Sequence, residues 1–254
     1  MKVLLTGHRG FIGSHMLNAL KDHNVTTFEW GEEYPNIAGN DWVIHMGANS
    51  STTETNIEKI MNQNYDFSVW LLHECIKHNV NLQYSSSASI YGLNKEFSEV
   101  SPVDPRTPYA WTKYLFERYV ERLDKNIITQ GFRYFNVYGS GQEHKIGSAS
   151  PHHTFKTQAI NTGIINLFKS EQEPARDFVS VEYVTNVHLK FLNINESGIW
   201  NIGTGTATTF SSIASSIAKE YGAKINYIDM PEILKNSYQF YTCADTTKLR
   251  KYIQ

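Results

Sequence analysis

Short apolar runs alternate with longer amphipathic stretches along the first half of the chain. Lys2 to Thr6 (KVLLT) reads as a strand covered on both faces, and Phe11, Ile12, Leu17 and Leu20 of the next segment, FIGSHMLNALK, fall on one side of a helix. Val25 to Glu29 predicts a second strand. Trp42 to His45, Leu82 to Ser85 and Ile127 to Arg133 predict three more, separated by helices over Asn56 to Lys77 and Pro108 to Leu123. Strands joined by helix-length crossovers pair in parallel, so the rhythm predicts an α/β chain with a doubly wound, mainly parallel sheet. No repeat or low-complexity tract interrupts it, and a second lobe must therefore be small and interleaved with the first.

The first strand-to-helix turn, TGHRGFIG, carries Gly7, Gly10 and Gly13. Glycines there let the backbone approach a pyrophosphate, which the free N–H groups and dipole of the helix N-terminus attract. The spacing is G-x-x-G-x-x-G and not the usual G-x-G-x-x-G, but the strand, loop and helix context is the one a dinucleotide requires. Glu29 follows 19 residues after Gly10, at the end of the second strand, where a carboxylate accepts the ribose hydroxyls of an adenosine. The fold expected is thus a Rossmann-type sheet. Residues 1–140 with about 176–203 form its dinucleotide-binding domain, and about 141–175 with 204–254 form a substrate-binding lobe.

TPYAWTKYLFERY (Thr107 to Tyr119) places Tyr109 and Lys113 four residues apart on a helix, hence on one face. YSSSASIYG (Tyr84 to Gly92) sets three serines at the carboxyl end of a strand, where open α/β sheets bind ligands. Together these types make chemistry. A serine holds a substrate oxygen, the tyrosine exchanges its proton, and the lysine holds the nicotinamide ribose while its charge lowers the phenol pKa from ~10 towards neutrality.

Composition removes other classes. The net charge of −2, from 23 basic and 25 acidic residues without a run of either, indicates neither a nucleic-acid surface nor a polybasic membrane anchor. No apolar run approaches the ~18 to 20 residues that span a bilayer, and MKVLLTGHRG lacks a signal-peptide shape, so the expected location is cytoplasmic. Cys75 and Cys243 are too few for a disulfide framework. His144, His152 and His153 have no carboxylate or cysteine at ligand spacing, and no metal is expected.

At this point the chain resembles the extended short-chain dehydrogenase/reductase family of NAD-dependent epimerases and dehydratases, over nearly its whole length. The resemblance rests on the glycine loop, the Ser, Tyr and Lys group, and on GANSSTTE (Gly47 to Glu54), GFRYFNVYG (Gly131 to Gly139), EHK (Glu143 to Lys145), RDFV (Arg176 to Val179) and SGIWNIGTG (Ser197 to Gly205). It implies Ser87, Tyr109 and Lys113 as the catalytic group, Ser87 being the serine four positions before Tyr91. It also implies that Phe11, Ile12, Gly47, Ala48, Asn49, Gln63 and Val137 line the dinucleotide, and that Asn136, Arg176 and Tyr238 contact substrate. SSTTE, the His-Lys pair after NVYG, and LKNSYQFYTCADTTKLR (Leu234 to Arg250) look most like the ADP-heptose 6-epimerase branch, in which Lys145 matches a second acid-base group opposite the tyrosine. The partners implied are a nucleotide-sugar and a second copy of the chain in a homo-oligomer.

The cofactor is NAD or NADP. NAD is preferred because Glu29, Glu32 and Glu33 stand near the ribose with no Arg or Lys between them and Asp41. Alternatives are a UDP-hexose 4-epimerase, another nucleotide-sugar dehydratase or reductase, and a cofactor-sensing regulator without chemistry. A 4,6-dehydratase carries an Asp-Glu pair after its catalytic Ser or Thr, whereas Ala88 and Ser89 follow Ser87 here. Two departures mark a trimmed enzyme: only eleven residues lie between Glu29 and Asp41, too few for a further helix and strand, and the chain stops soon after ADTTKLR.

Overall fold

The computed structural model describes residues 1–51, 54–142, 150–232 and 238–253. In chain order they form β1 (Lys2–Thr6), α1 (Phe11–Ala19), β2 (Asn24–Phe28), β3 (Trp42–His45), α2 (Ile57–Met61), α3 (Phe67–His78), β4 (Asn81–Ser87), α4 (Pro108–Arg122) and β5 (Thr129–Tyr134). The second half adds β6 (Asn136–Tyr138), α5 (Pro151–Thr162), β7 (Ile164–Phe168), β8 (Ala175–Ser180), α6 (Val181–Phe191), β9 (Gly198–Ile202), β10 (Ala207–Thr209), α7 (Phe210–Tyr221) and β11 (Lys224–Ile228).

Six strands form one parallel sheet in the order β2-β1-β3-β4-β5-β9. β1 shows why its sequence is apolar throughout. Val3 and Leu5 pack with Met16, Leu20, Trp42 and Leu192 on one face, while Leu4 packs with Phe28, Leu71 and Leu82 on the other. Each such fully buried leucine contributes about 1.5 to 3 kcal/mol. The doubly wound sheet is therefore present. The predicted β1 and β3 match to the residue, β2 begins one residue earlier than expected, and β4 runs on to Ser87.

Two departures from the expected elements bear on the site. The helix predicted over Asn56 to Lys77 is broken by a π-helical turn at Asn62–Asp66. Its extra residue lets the Asn64 side chain accept from Asn49 N (2.7 Å) and donate to Asn49 O (3.0 Å), tying the helix to the loop after β3. The residues after Glu29, too few for a helix and strand, form neither, and β2 remains the sheet edge. Phe28, Tyr34, Phe67 and Trp70 stack over that end, and Ile37 is buried beside them.

β6 and β8 pair in parallel, and β8 pairs antiparallel with β10, in a small second sheet; β7 and β11 form a third. Residue 176, from which the second piece of the dinucleotide-binding domain was expected, lies in β8, which pairs with β6 and β10 and not with the six-stranded sheet. α5 and α7 cover β7 with a core of Phe155, Ile165, Phe178, Ile213 and Ile217. No described helix is long and apolar enough to cross a membrane.

Candidate active site

The glycine turn is shaped for close approach. Gly7 has φ +77°, and a Cβ there would lie 2.5 Å from Gly47 Cα, while one at Gly13 would collide with the Gly7 carbonyl. Gly10 caps α1 without a side-chain hydrogen bond, at a helix N-terminus, the end that attracts an anion. Beside the turn lies a pocket of about 280 Å³ that brings together Gly7, Glu29, Gly47, Ala48, Asn49 and Gln63, six of the residues expected to hold a dinucleotide. Asn49 Nδ2 donates to Gln63 Oε1 (3.2 Å), so the π turn sets that wall. Thr6, Phe28, Trp30, Lys59 and Phe67 also line it and escaped the sequence reading, although Phe28 and Trp30 flank Glu29. Phe11 is buried, and Ile12 and Val137 pack against the cluster of Phe132, Val179 and Trp200; none of the three lines this pocket.

The acidic trio after β2 has basic neighbours that the sequence around it did not indicate. Arg9, from the glycine turn, reaches Glu32 (Nη2 to Oε1, 2.9 Å), and Lys59 enters the pocket wall held by Glu54 (2.8 Å). Glu29 Oε1 accepts from Arg9 N (2.6 Å), and Glu29 lines the pocket, where its carboxylate could accept ribose hydroxyls. An apolar slot, a carboxylate at its rim and an uncapped helix start fit NAD.

Ser87, Tyr109 and Lys113 converge at the carboxyl end of the sheet. Thr107 caps α4 by accepting from Ala110 N, and Pro108 fills the first turn, so Tyr109 and Lys113 point from one face towards the end of β4. Of the three serines, Ser87 is the one whose side chain acts on the Tyr109 phenol, in the direction of a lower pKa. Ser86 turns to Glu117 (2.5 Å), and Lys113 Nζ donates to the Ser85 carbonyl (2.9 Å). Lys113 Nζ lies 5.8 Å from the centre of the Tyr109 ring. Burial drives the lysine down from its ordinary 10.5 to about 8, against the pull of Glu117 one turn on.

The phenol does not follow the expected direction. Loss of water raises the Tyr109 pKa, and the Ser87 hydroxyl, which favours the phenolate, offsets this only in part. His45, at the end of β3, bridges Thr6 Oγ1 (2.7 Å) and Ser68 Oγ (2.9 Å) in the floor, and burial with the nearby Lys113 charge takes its pKa to about 3. It is a neutral spacer.

In the smaller lobe, Arg176 is buried on β8, and its guanidinium lies 5.7 Å from the Phe210 ring and 5.5 Å from the Tyr238 ring. Asp177 is not its partner. That carboxylate accepts from Thr204 N (2.8 Å), Gly205 N (2.9 Å) and Ala244 N (3.0 Å), clamping two loops. Among the described residues no carboxylate pairs with Arg176; its Nη1 donates to the Ala175 carbonyl (3.1 Å), and burial lowers its pKa to about 10. Asn136 Nδ2 reaches Asp177 O and Thr242 Oγ1, each at 3.4 Å. A pocket of about 470 Å³ opens beside this group, walled by Phe168, Phe210, Tyr227 and Tyr238. Lys145 lies outside the described residues.

A phenol one helical turn from a buried ammonium, placed where a doubly wound sheet holds its ligands, is an arrangement suited to a nucleotide-cofactor enzyme of the α/β class. Residues 3–203 match the model of the NAD dependent epimerase/dehydratase family. The chain belongs to that family, and it is an enzyme whose cofactor is NAD. Solved structures agree in fold. The UDP-N-acetylglucosamine 4-epimerase of Methanobrevibacter ruminantium, in complex with UDP-N-acetylmuramic acid, is 22% identical with TM-score 0.89 over 99% of this chain and 91% of that one. The ADP-L-glycero-D-manno-heptose-6-epimerase of Helicobacter pylori is 24% identical with TM-score 0.89 over 99% and 90%. The UDP-glucose 4-epimerase of Thermus thermophilus, in complex with NAD, is 23% identical with TM-score 0.82 over 99% and 92%.

Proposed function

We propose that this chain is a nucleotide-sugar epimerase, and that it inverts C6 of an ADP-linked glycero-manno-heptose. The observation that carries the reading is Arg176, a buried guanidinium with no carboxylate partner among the described residues, against two rings, Phe210 and Tyr238, that line an aromatic pocket. A diphosphate supplies the missing charge in bidentate form, and the pocket beside it takes the nucleoside. Tyr238 and Asn136 then hold phosphate and sugar oxygens, leaving the sugar to extend towards Ser87 and Tyr109.

NAD, when bound, supplies the acceptor and donor for a transient oxidation at one sugar carbon. Ser87 donates a hydrogen bond to the sugar oxygen, Tyr109 takes and returns the hydroxyl proton, and the Lys113 ammonium steadies the phenolate and the nicotinamide ribose. Inversion requires proton handling from two sides, and we assign the second side to Lys145. SSTTE and LKNSYQFYTCADTTKLR support the heptose. The UDP-sugar 4-epimerase from the archaeon matches the fold as well as the heptose enzyme does, and this favours 4-epimerisation of a UDP-hexose as the second reading. Self-association is supported by the outer face of α4, where Trp111 is 46% exposed and Tyr65, Leu115, Tyr119 and Leu123 line an apolar groove.

The test is incubation with ADP-heptose and with UDP-, GDP- and dTDP-sugars, with NMR detection of epimers. Conversion of the ADP-heptose alone is expected. Interconversion of UDP-glucose and UDP-galactose would favour the second reading, and no product from any member of the panel would refute both.

A further inference from the structure

We propose that Glu32 selects NAD against NADP by keeping Arg9 occupied, so that a cation suited to a 2′-phosphate is withheld from the ribose. This rests on the NAD site at the glycine turn. Arg9 stands inside that turn, between Gly7 and Gly10, with its side chain 69% exposed. Its guanidinium Nη2 donates to Glu32 Oε1 at 2.9 Å. The other oxygen of Glu32 accepts from Glu29 N at 2.9 Å, and Glu32 N donates to Glu29 O at 3.2 Å. Glu29 in turn accepts from Arg9 N at 2.6 Å, with His8 Nδ1 3.4 Å from the same oxygen. A closed ring results: the backbone of Arg9 binds the carboxylate that faces the ribose, and the side chain of Arg9 is turned to the carboxylate three residues further on.

The ring sorts ligands by charge. A ribose 2′-hydroxyl donates to Glu29 and leaves every other contact in place. A 2′-phosphate, with charge between −1 and −2, meets two carboxylates, and the one guanidinium within reach is already neutralised. The short chain between Glu29 and Asp41 is what makes this geometry, because the turn Glu29–Glu32 folds back on the glycine loop at once. A pair as exposed as Arg9 and Glu32 contributes little to stability, so removing it tests specificity with the fold intact.

The experiment is displacement of bound NADH, followed by its fluorescence, with NAD+ and NADP+ on wild type, Glu32→Gln and the double variant Arg9→Gln/Glu32→Gln. Thermal unfolding with each dinucleotide is the second readout. Release of Arg9 to form one charge-assisted hydrogen bond, together with removal of one repulsion, should tighten NADP+ binding to Glu32→Gln by about tenfold, with NAD+ unchanged within about threefold. The double variant should lose the share of that increase that Arg9 supplies and keep only the share from the removed repulsion. An unchanged NADP+ to NAD+ ratio in Glu32→Gln, or tighter NADP+ binding that survives removal of Arg9 undiminished, would overturn the proposal. So would wild type binding both equally. A wild type that binds neither dinucleotide would sink the cofactor site itself.

Discussion

Replacing Lys113 by Met should stabilise the cofactor-free protein while abolishing its activity. Lys113 is 5% exposed, and burial lowers its pKa from 10.5 to about 8 even with Glu117 one turn away. At about 1.4 kcal/mol per tenfold change in acidity, holding this ammonium in the folded state costs about 3 kcal/mol at pH 7. For a lysine whose pKa falls on folding, the cost is greatest at low pH. Below pH 8 both states are protonated and the full cost is felt; between 8 and 10.5 the unfolded chain keeps the proton that the native one has lost, and the cost fades as pH rises. Methionine removes the charge but leaves the Ser85 carbonyl without its donor (2.9 Å in the wild type), a loss of about 1 kcal/mol. The variant should therefore be about 2 kcal/mol more stable at pH 7 and indistinguishable from wild type near pH ~9.5, in urea unfolding without NAD. A variant less stable at pH 7, or a difference independent of pH, would show that Lys113 is a structural cation and not one held against its solvation.

Three other outcomes are expected. Tyr109→Phe should keep NADH affinity and lose about 10² to 10⁴ in kcat, and wild-type turnover would return the phenol to a packing role. Lys145→Met should cut kcat strongly with little change in KM if the lysine moves a proton; a rise in KM at constant kcat would make it a phosphate clamp instead. Trp30 is 44% exposed and lines the adenosine pocket, so NADH should quench its emission and the quench should shrink in Trp30→Phe. An undiminished quench would place the cofactor elsewhere.

How much of this was legible depends on which interactions are local. β1, β3 and the start of α4 were readable because a run such as WVIH has no amphipathic alternative and Thr107-Pro108 is a strong helix opening. The π turn was not. Its residues keep a helical pattern, and only the tertiary bonds from Asn64 to Asn49 and Thr112 distinguish it. Tyr109 and Lys113 were legible through their spacing, but the sign of the phenol shift was not, since it depends on how much water the assembled pocket removes. Whether Arg176 pairs with its neighbour Asp177 is not legible in RDFV for a related reason. Strand alternation sends neighbours to opposite faces, and what each meets there is decided by distant segments, as Asp177 finds Thr204 and Ala244. The pocket beside the glycine turn likewise joins Phe28 and Trp30, which flank Glu29, to Phe67 from α3, and no local pattern marks Phe67 as their neighbour.

Distant partners also decide what lies beneath the catalytic lysine. Tyr109, Lys113 and Glu117 follow one another at one-turn intervals on α4, and Glu117 is buried in a bidentate pair with Arg133 (2.7 Å at the shortest), with Ser86 on its other side. Arg133 Nη1 continues to the Tyr91 hydroxyl (2.9 Å), which donates to Asn201 (2.8 Å). Such a pair adds little net stability, because desolvation consumes most of its attraction. Its use here is electrostatic position. Burial lowers the pKa of Lys113, and Glu117 raises it, which favours the charged amine. A neutral amine offers the phenolate no charge. Arg133 in turn pairs with Glu117 in the dry interior, so the charge set beside Tyr109 depends on two residues that lie beyond the Ser87, Tyr109 and Lys113 group.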